Sequence, residues 1–149
     1  MDTNLLILLA VGRTDPNLIA KHKRLIGYDN EDFKLLTEFL GGSVKLVTCP
    51  NITTEASNLL RQIGSPYREQ VTAGLGNVVQ TMDEHYVTSG AAVQHPLFVR
   101  LGLTDAALTI LLESGAELLT VDLDVYVEAL NTGFKSTNFN HLREQKLGY

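Results

Sequence analysis

The chain has 149 residues, 44% of them apolar and 19% charged, with a formal net charge of −5. That composition excludes a disordered chain and suits one globular domain with a sizeable core. The acidic balance excludes nucleic-acid binding through an overall basic field, so any such contact must come from a local basic patch or from metal ions. The single cysteine, Cys49, rules out an internal disulfide framework and fits a reducing compartment, so a cytoplasmic protein is expected.

The chain opens with Asp2, Thr3 and Asn4 before the apolar run Leu5–Val11. Asp2 there suits a helix cap. The run is too short to span a bilayer, and an acid in place of a basic leader speaks against a signal peptide. Asp15 and Pro16 then predict a helix over "DPNLIAKHKR", because proline suits the first helical position. "NEDFKLLTEFLGG" predicts a second helix, capped by Asn30 and ended by Gly41 and Gly42. "SVKLVTC" reads as a strand and "NITTEASNLLRQIG" as a helix. "PYREQVTAGLGNVVQTM" reads as helical, and "EHYVTSGAAVQHP" as an irregular connector or a short strand with a turn. "LTDAALTILLESG" is a helix with Thr104 as its cap, "AELLTV" a strand, "DVYVEALNTG" a helix and "STNFNHL" a last strand. This alternation predicts a parallel sheet with helices on both faces, where ligands gather at the carboxyl ends of strands.

Asp2, Glu55, Asp105 and Asp122 therefore draw interest, with Asp124 as an alternate to Asp122. Taken singly, each is an ordinary cap or a partner of a helix dipole. Taken together, they stand at element ends that a parallel sheet would bring to one edge. Carboxylates gathered in one place are tolerated mainly when they hold hard divalent cations such as Mg²⁺ or Mn²⁺. A carboxylate-held ion is also a standard means of hydrolysing a phosphodiester. The cluster Lys21, Lys23 and Arg24, with Arg13 nearby, offers phosphate contacts for RNA. The four histidines lack zinc spacing, "GLGNVV" lacks the dinucleotide fingerprint, and no Gly-x-Ser-x-Gly elbow is present.

"DTNLLILL", "TCPNITTEASNLL", "LGLTDAAL", "LLTVDLDVY" and the closing "NFNHL" occur in an order that resembles the PIN domain family over nearly the whole chain. The resemblance implies a single three-layer α/β/α domain over 1–149 with a central, mainly parallel sheet. It implies a metal-dependent endoribonuclease and, as for a large share of the family, the toxin of a toxin–antitoxin pair, with an antitoxin protein as partner and a homo-oligomeric state. Asp2, Glu55, Asp105 and Asp122 match the family's acids, and Asn4 and Thr120 match polar groups that orient the carboxylates or a metal water. In the family the first acid ends a central strand, whereas here only Met1 precedes Asp2. Either the given chain starts late, or that strand is absent, or Leu5–Val11 serves as the strand and Asp15 replaces Asp2. Val121 stands where the family often has an acid. The alternative reading is a catalytically inactive PIN-like module that binds protein or RNA.

Overall fold

The computed structural model describes residues 1–149. At its centre lies a helix, α1 (Thr3–Thr14), in which every residue from Leu5 to Val11 is 0% exposed. An uninterrupted apolar run has no period, so the residues alone leave strand and helix open. The preceding residue decides between them. Asp2 has extended backbone, and its Oδ1 accepts the Leu5 N–H at 2.9 Å, which satisfies one of the N–H groups that a helix start leaves free. Leu5–Val11 is thus not a strand. Asp15 lies at the other end of α1, roughly 18 Å away for a helix of this length, where it caps the next turn by accepting the Asn17 N–H.

A helix that is apolar all round must be wrapped on every side. Three helices do most of this: α2 (Asn30–Leu40), α3 (Pro50–Leu60) and α4 (Tyr67–Val79). Gly12 makes room for the ring of Phe33, and Gly74 for the hydroxyl of Thr14, where α4 crosses α1 closely. The helix expected from Asp15 onwards is instead two 3-10 segments, Pro16–Lys21 and Lys23–Leu25. Buried His22 separates them: its Nε2 lies 2.8 Å from the Leu60 carbonyl oxygen and its Nδ1 accepts the Arg24 N–H. α2 is capped by Asp29 rather than Asn30, through a capping box with Asp32.

The remaining helices are α5 (Ser89–Gln94), α6 (Phe98–Leu101), α7 (Leu103–Leu112), α8 (Leu123–Asn131) and α9 (Phe139–Leu147). The stretch read as a connector thus contains α5. The expected last strand is only half strand, because Asn138 caps α9 by accepting the Asn140 N–H, and "FNHL" is its first turn.

The strands are β1 (Val47–Thr48), β2 (Asp83–Glu84), β3 (Leu118–Thr120) and β4 (Ser136–Asn138). They form two separate parallel pairs, β1 with β2 and β3 with β4. The fold is therefore mixed α/β and mostly helical, and the expected continuous central sheet is not formed. An apolar cleft of about 440 Å³ separates the pairs, lined by Met1, Val47, Leu118 and Leu119 and flanked by side chains of α2 and α7. Only the Asp2 N–H reaches across to β3, donating to the Leu119 carbonyl at 2.9 Å. The Leu118 N–H bonds toward β4, and neighbouring residues of a strand point to opposite edges, so this bond lies on the cleft side. No helix is long and apolar enough to cross a membrane.

The two pairs nevertheless set the polarity of the site. β1 runs into α3, which carries Glu55, and β3 runs into α8, which Asp122 caps. Both carboxyl ends thus deliver an acid, as a parallel arrangement predicts.

Candidate functional site

Asp2 is the most tightly held acid. Its Oδ1 caps α1, while its Oδ2 accepts the Thr120 hydroxyl at 2.6 Å and the Val121 N–H at 2.7 Å. Three donors fix the orientation of this carboxylate at a site only 8% exposed. Val121 contributes through its backbone, so its apolar side chain costs the site nothing here. Thr120 also accepts the Asp122 N–H, and Asp122 in turn caps α8 by accepting the Val125 N–H. Thr120 therefore ties two of the expected acids together.

Thr104 does not cap α7. Gly102 takes that position with φ at +91°, a conformation that favours glycine. The hydroxyl of Thr104, two residues on, donates instead to Glu55 Oε2 at 2.5 Å. This bond joins α7 to α3 and orients Glu55 beside Asp105.

The Asp105 carboxylate accepts no hydrogen bond within the chain and is half-buried. Burial pushes its pKa up from 3.8 to about 6, and the negative charges of Asp122, Glu55 and Asp2 push in the same direction. Asp105 thus feels the charges of all three other acids matched from the sequence. It feels Asp122 and not Asp124, which is exposed on the first turn of α8.

Asn4 makes no hydrogen bond to a carboxylate within the chain. It accepts a hydrogen bond from Arg24 at 3.2 Å, which brings the Arg24 guanidinium within two residues of Asp2. Of the other basic candidates, Lys21 is engaged with Tyr67, bonding its hydroxyl at 3.0 Å and lying over its ring. Lys23 and Arg13 are exposed. Sequence reading missed Tyr28, whose hydroxyl is pushed up by burial and by the nearby charge of Asp2. It also missed Asn140, which donates to the Val121 carbonyl at 3.4 Å. Both come from distant segments and carry no local pattern that marks them.

No three acid, histidine or cysteine side chains stand close enough to hold one ion between them. The donor set still fits Mg²⁺ or Mn²⁺. It is all oxygen, it includes a carboxylate without internal donors, and Mg²⁺ needs only one or two protein carboxylates beside water and substrate phosphates. No protein-family model matches this chain, nor does any curated protein or solved structure.

Proposed function

We propose that this chain is a metal-dependent endoribonuclease of PIN-like design, its two parallel strand pairs standing for the flanks of a PIN-like central sheet. The observation that carries the reading is Asp105: a half-buried carboxylate, free of internal donors, that feels the charges of three further acids. Such a concentration of negative charge is unfavourable without a cation. Asp105 with one of its neighbours, Glu55 or Asp122, would hold Mg²⁺ or Mn²⁺ beside water and substrate phosphate. When bound, such an ion supplies Lewis-acid stabilisation of charge on the phosphodiester.

The chain's own groups do the rest. Thr104 holds Glu55, and Thr120 with the Val121 N–H holds Asp2, so neither carboxylate must reorganise as a substrate binds. One carboxylate of the cluster would also orient the attacking water. Arg24, fixed against Asn4, pairs with a backbone phosphate next to the scissile one. Because water attacks and not the ribose 2′-hydroxyl, the products carry 5′-phosphate and 3′-hydroxyl ends.

The test is cleavage of an end-labelled RNA pool with Mn²⁺, Mg²⁺ or EDTA, beside Asp105→Asn. Metal-dependent cutting that both EDTA and the substitution abolish supports the reading. Cutting that survives EDTA, or products with 2′,3′-cyclic phosphates, contradicts it. A second reading, a non-catalytic RNA-binding module, is favoured by the three donors that already occupy Asp2. It predicts RNA binding without cutting and unchanged on chelation.

A further inference from the structure

Beside Glu55 lies an open cleft of about 590 Å³ between α3, the segment after β2 and the start of α7. Glu55 and Thr104 form one wall, so the cleft adjoins the acidic site directly. Glu55 is its only charged lining residue. The side chains of Asn51, Thr54, Asn58 and Ser89 supply neutral donors and acceptors, and none of them is hydrogen-bonded within the chain. Tyr86 stands at the rim 79% exposed. Its ring packs on no other aromatic side chain or cation, although such contacts hold Tyr28, Tyr67, Tyr126 and Tyr149.

An exposed aromatic face beside free amides suits a flat, uncharged, hydrogen-bonding ligand. A phosphate is disfavoured by Glu55 and finds no cation in the lining. An unpaired nucleobase meets each condition. Its faces stack on an aromatic ring, and its edge carries donors and acceptors that an asparagine amide can match. We propose that this cleft is a subsite for one nucleobase of single-stranded RNA, stacked on Tyr86 and read at its edge by Asn51 and Asn58. The proposal rests on the ribonuclease reading for its substrate class, and it makes that substrate single-stranded at the nucleotide beside the cut.

Neutral nucleosides separate the two claims, because their binding needs neither metal nor phosphate contacts. The full chain, ¹⁵N-labelled and in EDTA, is titrated with adenosine, guanosine, cytidine and uridine, and with ribose 5-phosphate as the base-free control. At least one nucleoside is expected to move the side-chain amide signals of Asn51 and Asn58 saturably, and ribose 5-phosphate to leave them unmoved. Tyr86→Ala should weaken that binding roughly 5- to 150-fold, the range for loss of one base–aromatic stack. Tyr86→Phe should retain it, and Asn58→Ala should weaken it with the fold intact, since both side chains are exposed. Four inert nucleosides overturn the proposal, as does binding that Tyr86→Ala leaves unchanged. An inactive enzyme whose cleft still binds nucleosides overturns the nuclease reading alone.

Discussion

Replacing Asp105 with asparagine should make the protein more stable at neutral pH while removing its activity. The carboxyl titrates at about 6 against 3.8 in the unfolded reference, a difference of about 2 units. At ~1.4 kcal/mol per unit this caps the cost of keeping Asp105 ionised in the folded state at ~3 kcal/mol. Solvent reaches this half-buried side chain and screens part of that cost. The first turn of α7 also favours a negative charge by ~0.3–1 kcal/mol. The net gain for Asp105→Asn is then ~1–2 kcal/mol. The carboxylate accepts no internal hydrogen bond, so the amide forfeits none.

The pH dependence carries the sign. A folded pKa above the unfolded one means that the native state binds the extra proton, so its stability falls as pH rises from about 4 to about 6. Urea denaturation of both proteins at several pH values in EDTA tests this. The difference between variant and wild type should be near zero at pH 4 and grow to its full value by pH 7. A difference that is flat across this window, or a variant less stable at pH 7, would refute the electrostatic account of the cluster.

Thr120→Val removes the hydroxyl that bonds Asp2 and accepts from Asp122; it should cost ~1–3 kcal/mol in a denaturant melt, the cost of leaving buried polar groups unpaired. Arg143→Met should cost ~3–5 kcal/mol, because it strands Asp32, a 0% exposed carboxylate bonded by the guanidinium at 2.6 and 3.1 Å. That loss would also free α9 from α2, which proteolysis near the C-terminus would detect. His22 should remain neutral below its usual 6.5, since burial lowers its pKa and its Nδ1 already accepts a backbone N–H. Its folded pKa lies below the unfolded one, so the stability it contributes is present above 6.5 and is lost as pH falls through the folded value. An NMR titration showing His22 protonated at or above 6.5 would contradict this.

The legible parts of the fold were those written in neighbouring residues. Asp2 before an apolar run, Asp122 before α8 and glycine after α2 announce helix ends because capping is a short-range interaction. Leu5–Val11 could not be assigned by pattern, since a wholly buried helix and a wholly buried strand look alike in composition. The last segment misled for the opposite reason. Asn138 and Phe139 suit a strand end, but the Asn138 side chain caps a helix there.

The site was legible as a set of residue types and not as a set of contacts. Glu55 and Asp105 were visible as acids near helix starts. The bond between Thr104 and Glu55 spans 49 positions, and that between Thr120 and Asp2 spans 118. Thr104 read as a cap because threonine before an acid is a good local cap. Only the fold, by giving that position to Gly102, releases its hydroxyl for Glu55. The bond from Arg24 to Asn4 was hidden for a similar reason: nothing near Asn4 in sequence points to it.

The most direct test of the central claim is calorimetric titration of Mn²⁺ into the wild-type protein and into Asp105→Asn. The account predicts saturable binding to the wild type that weakens at least tenfold in the variant, with both proteins folded. Equal affinity in the two, or no binding to a folded wild type, would contradict it.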